Sequence, residues 1–402
     1  MTQDIATALI HHAYLPPAEF DAPQPGVFKA STVFFPNVVA LEAREWRDKS
    51  GYTYGLHGTP TTFILEERLA TLEGGLQCLL VPSGLAAIAC VSLALLKTGD
   101  EVLLPDNVYG PSKALADAEL AAMGIRCRLY DAMDPTSLQT ALSARTRLVW
   151  LEAAGSVTME FPDLPALARV CRQHGVTSAL DNTWGAGLAF DPFDLDGQGA
   201  GVDLSIHALT KYPSGGGDVL MGSIVTRDEA LHMRIKLCHM RLGLGVAAND
   251  AELVLRALPS LPLRYAAQDA AARTLARWLD DREEVAQVLH PALAGSPGHE
   301  HWRGLCGSRD RAAGIFSIVF EARYSRAEVH AFCDALRLFR IGYSWGGPIS
   351  LVVPYDISTM RDTAVSHWPH AGHLVRLCIG LEAVEDLRLD LVHALATLPP
   401  AR

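Results

Sequence analysis

Three short motifs in this chain of 402 residues carry residue types that could do chemistry. Asp181 ends one apolar run, and Lys211 follows another apolar run further along the chain. Ser83-Gly84 stands between a third apolar run and an Ala-rich helical pattern. A carboxylate can pair with a protonated ring nitrogen, and a lysine can form a Schiff base with an aldehyde. The free amides at the start of a helix can bind a phosphate.

Each of these motifs also has an ordinary structural explanation. A strand-end aspartate is often a cap, a lone lysine is usually a surface charge, and Ser-Gly before a helix is a common turn. Their joint appearance matters because ligands of open parallel sheets bind at the carboxyl ends of the strands. Pyridoxal phosphate has a ring nitrogen, an aldehyde and a phosphate, so the three motifs together favour a site for this cofactor. The hydroxyls of Ser205 and Thr210 near Lys211 are further candidate phosphate ligands.

The elements that must position these residues follow from the apolar patterning. Runs rich in Val, Leu and Ile alternate with helical patterns, which predicts an α/β fold with a mostly parallel seven-stranded sheet and helices on both faces. Later in the chain a helix, a strand, a helix and an apolar run predict a smaller α+β C-terminal domain. The predicted strands of the large sheet are 78–81, 101–104, 126–130, 148–151, 178–180, 204–207 and 223–225, and the later elements are 264–281, 314–320, 325–336 and 374–379.

We therefore divide the chain into three parts. Residues 1–60 contain many Pro, Gly and aromatic residues and few periodic stretches, so we expect an N-terminal arm over the body or over a neighbouring subunit. Residues 61–262 form the predicted cofactor-binding large domain, and residues 263–402 form the small domain.

Composition argues against several other classes of protein. The chain has 34 basic and 45 acidic residues, a net charge of −11, and no basic cluster interleaved with aromatic residues, so a nucleic-acid partner is not expected. The N-terminus lacks the basic start and apolar run of a secretory signal, and the eight cysteines show no CxxC spacing. We therefore expect reduced thiols and a cytoplasmic location.

Two segments could be mistaken for other kinds of site. Residues 78–96 carry no charge, but Pro82-Ser83-Gly84 interrupts them, so we expect a buried strand, a turn and a buried helix and no membrane contact. His299-Glu300-His301 has no third convergent ligand in sequence, so we interpret it as a surface loop and predict no metal site.

Ordered motifs along nearly the whole chain carry a resemblance to a known family. They include Tyr54…Gly58-Thr59-Pro60-Thr61, Asp181-Asn182-Thr183-Trp184, Ser205…Thr210-Lys211-Tyr212, Ser344-Trp345-Gly346-Gly347 and Arg376-Leu377…Ile379-Gly380-Leu381-Glu382. With these motifs the chain resembles the fold-type I (aspartate-aminotransferase-like) pyridoxal-phosphate enzymes of cysteine and methionine metabolism. That family includes cystathionine β-lyase, cystathionine γ-synthase, cystathionine γ-lyase and methionine γ-lyase.

The resemblance implies how the chain would hold pyridoxal 5'-phosphate. Lys211 would form a Schiff base with the cofactor and Asp181 would bind its ring nitrogen, while Tyr109 would stack on the ring and assist proton transfer. The phosphate would contact four groups of the same chain and one from a neighbouring subunit. These groups are the amides of Gly84 and Leu85, the hydroxyls of Ser205 and Thr210, and Tyr54 of the neighbour.

The resemblance also implies a substrate site and an activity. Arg376 would bind the substrate α-carboxylate, with Ser344, Trp345 and Tyr54 nearby. The implied reaction is α,β-elimination of L-cystathionine or a related β-thio amino acid to a thiol, pyruvate and ammonia, by a homodimer or homotetramer. Trp345 favours the cystathionine β-lyase type, since the γ-acting relatives usually have Leu there. A γ-acting enzyme and a cofactor-binding regulatory protein without catalysis are the alternatives.

Two positions depart from the family pattern. Leu56 stands where relatives usually have an arginine, and Gly215-Gly216-Gly217-Asp218 replaces the Gly-His-Ser-Asp that follows the lysine in relatives. A protonated His57 could supply the charge that Leu56 lacks, and cofactor affinity would then weaken as the pH rises. The alternative is that His57 faces away and neutral donors suffice.

Overall fold

The computed structural model describes residues 4–14, 18–19 and 22–400, and within these ranges the strands form two sheets. The strands of the larger sheet are β1 (Gln77–Val81), β2 (Glu101–Pro105), β3 (Arg126–Tyr130), β4 (Thr146–Glu152), β5 (Thr177–Asp181), β6 (Leu204–His207) and β7 (Gly222–Thr226). Their order is β1-β7-β6-β5-β4-β2-β3, and every neighbouring pair is parallel except the two pairs that β7 makes. The predicted seven-stranded, mostly parallel sheet is confirmed.

The smaller sheet is mostly antiparallel and contains the C-terminal strands. They are β8 (Val285–Leu289), β9 (Ile315–Phe320), β10 (Arg340–Ile341), β11 (Leu351–Tyr355) and β12 (Leu374–Cys378). Their order is β10-β11-β12-β9-β8, with only the β10–β11 pair parallel. The strand predicted at 314–320 and the apolar run at 374–379 are therefore present as neighbours.

Helices cover both sheets. In the described ranges they are α1 (Ile5–Ile10), α2 (Val38–Glu42), α3 (Pro60–Glu73), α4 (Gly84–Leu95), α5 (Gly110–Leu115), α6 (Pro135–Ala141), α7 (Leu164–Gln173), α8 (Glu229–Leu242), α9 (Ala248–Ala257), α10 (Leu261–Asp280), α11 (His299–Cys306), α12 (Arg326–Ala335) and α13 (Val384–Leu395). None of them combines the length and apolar character needed to cross a membrane. The uncharged segment 78–96 forms most of β1, a turn and the whole of α4, as expected.

Local sequence signals fix where the helices near the cleft begin. Ser83 accepts a hydrogen bond from the amide of Ala86 at 3.0 Å at the start of α4. Thr59 and Thr62 form a reciprocal capping box at the start of α3, and Pro60 occupies its first position. A side-chain acceptor satisfies an amide that has no partner within the helix, and proline has no amide to satisfy. Both helix starts are thus set by short motifs.

The core of the larger sheet has one apolar layer on each face. Leu79 and Val81 of β1 lie in the layer that includes helices α4 and α8, whereas Leu80 lies in the layer that includes α3 and α7. Successive strand residues point to opposite faces, so a continuous apolar run is typical of a strand buried on both sides. The α3 layer also contains Ile315 and Leu374 of the smaller sheet, so the two lobes share one core.

Two features differ from the sequence-based expectations. The pattern at 299–301 does not form a surface loop, because α11 begins at His299 and buries Trp302 and Cys306 at helical spacing. Strands β8, β10 and β11 were not predicted. The expected boundary at residue 262 falls in the first turn of α10 and stays a prediction.

The N-terminal arm is largely irregular where it is described. It contains the short helices α1 and α2, and residues 1–3, 15–17 and 20–21 of this segment lie outside the described residues. Phe34 is 91% exposed, and Val38 and Val39 of α2 are 66% and 74% exposed. Exposed apolar side chains of this kind are typical of surfaces that contact another molecule.

Candidate active site

Two carboxylates lie side by side at the carboxyl ends of β4 and β5. Glu152 and Asp181 are register partners in this parallel pair, so their side chains share one face. Asp181 accepts a hydrogen bond from the amide of Thr183 at 3.0 Å, and Glu152 accepts one from the amide of Tyr109 at 2.9 Å. Burial raises the pKa of Asp181, and burial together with the Asp181 charge raises the pKa of Glu152 to about 8. A buried carboxylate pair of this kind favours a cationic partner, as a protonated ring nitrogen would be.

Lys211 lies in the turn that follows β6, the strand next to β5. Its amide donates to the carbonyl oxygen of Ala208 at 3.0 Å, and its Nζ lies 5.9 Å from the ring centroid of Trp345. Burial lowers the pKa of Lys211, and Arg376 lowers it further, while Asp181 acts in the opposite direction. A lowered pKa increases the fraction of neutral amine, which is the form that condenses with an aldehyde.

The start of α4 lies against the turn that precedes Lys211. Gly84 has no side chain, and a Cβ atom there would lie 2.7 Å from the Cβ of Ala208. The Oγ and carbonyl oxygen of Ser83 accept from the amides of Ala86 and Ala87. The two earlier amides of the helix have no intrahelical acceptor and are available to an anion.

Thr210 adds a hydroxyl to these amides. Its Oγ1 accepts from the amide of Met221 at 3.3 Å and donates to the carbonyl oxygen of Met221 at 3.4 Å, a long hydrogen bond, and the side chain is partly exposed beside the buried Leu209. We call the amides of Gly84 and Leu85 and the hydroxyl of Thr210 the phosphate cradle. Their placement fits the predicted role in binding a phosphate.

The structure does not bring Ser205 to the phosphate cradle. The Ser205 hydroxyl donates to Oε2 of Glu73 at 2.8 Å, and Nδ2 of Asn182 donates to the same oxygen at 2.8 Å. Nδ1 of His207 lies 3.0 Å from the other oxygen of Glu73, and all four side chains are buried. Ser205 and His207 are two residues apart on β6, so both face the helix α3 side of the sheet. The residue beside Gly84 is Ala208, which has no hydroxyl to offer.

Tyr109 immediately precedes α5, close to both carboxylates. Burial, then Asp181 and Glu152, raise the pKa of the Tyr109 phenol, whereas Arg376 lowers it. The phenol is therefore within electrostatic reach of both the carboxylate pair and the arginine. Its side chain is 42% exposed, which leaves the ring accessible to a planar ligand.

Arg376 lies on β12 and is 8% exposed. In the described part of the chain its Nε and Nη2 atoms have no hydrogen-bond partner. Buried guanidinium N–H groups are normally satisfied, so two free ones indicate an anionic ligand. This placement fits the predicted role of Arg376 in binding the substrate carboxylate.

The loop at 344–347 lies over the lysine segment. Ser344 has a φ of 85°, and its carbonyl oxygen lies 3.5 Å from the thiol of Cys378. The ring of Trp345 meets the ring of Tyr212 edge-on at 5.5 Å. A Cβ atom at Gly346 would lie 2.8 Å from the amide nitrogen of Tyr212, so only glycine lets the loop approach this closely. Ser344 and Trp345 are thus placed beside Lys211.

The arm residues lie away from these groups within one chain. Tyr54 is 45% exposed, and its ring lies 5.8 Å from the ring of His57. Nδ1 of His57 lies 2.6 Å from Oγ1 of Thr53, and burial, then Lys236 and Arg44, lower the pKa of His57. A lowered pKa disfavours the protonated His57 considered as a substitute for the missing arginine.

The residues present fit pyridoxal phosphate. A buried carboxylate pair that favours a cation, a lysine with a lowered pKa and a set of free helix amides match its ring nitrogen, aldehyde and phosphate. Sequence reasoning did not assign a role to Glu152, although it ends a strand as Asp181 does. In the described ranges, no cluster of three or more His, Cys, Asp or Glu residues is arranged to hold a metal ion.

Comparisons with known proteins agree with this arrangement. The family described as Cys/Met metabolism PLP-dependent enzyme matches residues 6–396. A putative cystathionine beta-lyase from Rhizobium johnstonii is 42% identical over 377 residues, which cover 92% of this chain and 91% of that protein. The cystathionine beta-lyase of Bordetella avium is 39% identical over 372 residues, 91% and 90% of the two chains. The crystal structure of metB from Corynebacterium glutamicum matches with a TM-score of 0.87 and 28% identity over 98% of both chains. This similarity confirms the predicted fold class.

Proposed function

The chain belongs to the family of Cys/Met metabolism PLP-dependent enzymes, and from that membership we propose that it is a carbon–sulfur lyase of the cystathionine β-lyase type. The proposed substrate is L-cystathionine or a related β-thio amino acid. The proposed products are a thiol, pyruvate and ammonia, with homocysteine as the thiol from cystathionine.

Bound pyridoxal phosphate would supply the electron sink for the reaction. The residues of this chain position the substrate and move its protons. Arg376 holds the α-carboxylate, and Lys211 accepts the proton of Cα, which its lowered pKa permits. Asp181 holds the ring nitrogen in its protonated state. Tyr109, beside the carboxylate pair and Arg376, is the phenol that would donate a proton to the leaving sulfur atom.

The convergence of four side chains is the observation that carries this proposal. Asp181 and Arg376 both act on the pKa of Lys211 and on the pKa of Tyr109, so the four groups share one electrostatic environment. Strongly interacting titratable groups in a cleft are typical of catalytic sites. A regulatory protein that had lost catalysis would have no need to keep them together.

The test is a product assay of the holoenzyme with L-cystathionine. We expect pyruvate, together with a free thiol in equal amount, and no release by Lys211→Ala under the same conditions. Lys211→Ala removes the residue that accepts the Cα proton and leaves the core intact. Pyruvate release by both proteins, or by neither, contradicts the proposal.

A γ-acting enzyme is the alternative within the family, and the same assay separates it. Cleavage at Cγ of cystathionine yields 2-oxobutyrate and cysteine, whereas cleavage at Cβ yields pyruvate. Trp345 lies against the lysine segment and narrows the space beside Lys211, which supports the β-lyase type.

We further propose that two copies of the chain form the minimum active unit. The exposed apolar side chains of the arm support this, and Tyr54 lies among them. In such a dimer Tyr54 of one subunit would reach the phosphate cradle of the other. In sedimentation analysis we expect the full chain to be a dimer or tetramer. Deletion of residues 1–50 should convert it to a monomer. An active monomer contradicts this proposal.

A further inference from the structure

One edge of the guanidinium group of Arg376 is buried and has no hydrogen-bond partner among the described residues. The two nitrogens of this edge, Nε and Nη2, are bonded to the same carbon and direct their N–H groups to the same side of the planar group. Together they form a two-donor fork that matches the two oxygens of a carboxylate. The fork is useful only if the plane of the group is held in one orientation.

Tyr355 contacts the face of this guanidinium. The guanidinium carbon of Arg376 lies 5.2 Å from the centroid of the Tyr355 ring, within the range of cation–π contacts. Strand pairing explains the contact, because Arg376 is paired across strands with Val353, and Tyr355 lies two residues further along β11 on the same face. Sequence reasoning gave Tyr355 no role.

The ring of Tyr355 is half-buried beside the arginine. Burial raises the pKa of the Tyr355 phenol, and the nearby Arg376 lowers it. Cys378 flanks the arginine two residues along β12, where burial raises the pKa of the thiol and the guanidinium of Arg376 partly offsets this. Tyr355 and Cys378 therefore both lie beside Arg376 on one face of the smaller sheet.

We propose that Tyr355 is a positioning residue of the carboxylate site, whose ring holds Arg376 flat so that its free edge receives the α-carboxylate of an amino acid. The inference rests on the proposed function only in naming an amino acid as the ligand. Without the ring, the long arginine side chain regains rotamer freedom, and the carboxylate must order it on binding. Binding of carboxylate-bearing ligands is then weakened, while Lys211 and Asp181 remain as they are.

The experiment compares two small ligands that differ only in the carboxylate. L-Alanine and ethylamine share the amino group and carbon skeleton apart from the carboxylate, and both can be titrated against the holoenzyme through its visible absorbance. In the parent protein L-alanine should bind more tightly than ethylamine. Tyr355→Leu should weaken L-alanine about tenfold and leave ethylamine within about twofold, and Tyr355→Phe should bind both as the parent does.

Steady-state kinetics give a second readout. With a thio amino acid, Tyr355→Leu should raise KM about tenfold with kcat changed by less than about twofold, since only carboxylate binding is affected. Tyr355→Met, which fills similar space without a ring, replaces Tyr355→Leu if that variant does not fold. Equal weakening of both ligands, unchanged alanine binding, or loss of binding in Tyr355→Phe overturns the proposal. Because ligand titration requires no turnover, failure of the lyase assay leaves this test intact.

Discussion

The donors gathered in the phosphate cradle are all neutral, and this makes cofactor affinity sensitive to a single added hydroxyl. Ala208 lies beside Gly84 at the start of α4 and is partly exposed, whereas Ser205 is hydrogen-bonded to Glu73. We predict that Ala208→Ser tightens the binding of pyridoxal phosphate, because its hydroxyl would donate to the phosphate next to the helix amides. The amide of residue 208 would keep its hydrogen bond to Thr183 Oγ1, which measures 3.0 Å.

The size of the effect follows from the energetics of charged hydrogen bonds. A hydrogen bond to a charged acceptor contributes about 1.5–3 kcal/mol. Fixing the new hydroxyl and removing it from water reduces the net gain to about 1–2 kcal/mol, which lowers the dissociation constant roughly 5- to 30-fold. The apoenzyme is titrated with pyridoxal phosphate in a buffer free of inorganic phosphate, and binding is followed by visible absorbance.

Two controls identify the phosphate as the cause. Unphosphorylated pyridoxal should bind the parent and Ala208→Ser equally, because the new hydroxyl has no phosphate to contact. Ser205→Ala should leave the dissociation constant within about twofold and lower the free energy of unfolding by about 1 kcal/mol, because it removes a buried hydrogen bond to Glu73. Equal tightening of pyridoxal, or weaker binding of pyridoxal phosphate by Ser205→Ala, would refute this reasoning.

Three further predictions concern charged groups. Arg376→Ala should lower kcat/KM, with a rise of about 2–4 kcal/mol in the activation free energy, because the carboxylate loses both of its guanidinium donors. Unchanged steady-state kinetics would contradict this prediction. Leu56→Arg should tighten the binding of pyridoxal phosphate by about 1.5–3 kcal/mol, because it adds a cation near the phosphate. His57→Ala should leave the pH dependence of the dissociation constant unchanged, because burial lowers the pKa of His57. A flatter pH profile in His57→Ala would show that the histidine does contact the phosphate. In the apoenzyme, the pKa of Glu152 is raised from its ordinary value near 4.5 to about 8, so the folded state holds a proton that the unfolded state has lost between these pH values. The free energy of unfolding should therefore fall as the pH rises from about 5 to 8, by up to about 1.4 kcal/mol per pH unit. In urea denaturation, the free energy of unfolding of Glu152→Gln should depend less on pH than that of the parent. An equal pH dependence in both proteins would show that Glu152 keeps an ordinary pKa.

Much of the fold could be predicted because its strands are buried on both faces. Most strands of the larger sheet are short, mainly apolar runs between turns or helical patterns, and this signal does not depend on tertiary contacts. β3 is the exception, since Arg126 and Arg128 are exposed. The strands that were not predicted lack such an uninterrupted apolar run. β10 (Arg340–Ile341) has two residues, and β11 (Leu351–Tyr355) contains Pro354, which normally argues against a strand. The pairing of β11 with β12, rather than its own sequence, makes it a strand.

Sequence could predict the site residues that lie at the ends of strands. It could not predict the residues whose role depends on the direction in which the side chain points. Asp181 ends β5 and Lys211 lies shortly after the end of the neighbouring parallel strand β6, and topology alone brings such ends to one edge of the sheet. Ser205 lies inside β6, where the alternation of a strand sends its hydroxyl to Glu73 on the opposite face from Asp181. Tyr355 faces Arg376 only through the register of two antiparallel strands. Registers join residues far apart in sequence, so a role set by register becomes visible only in the folded chain.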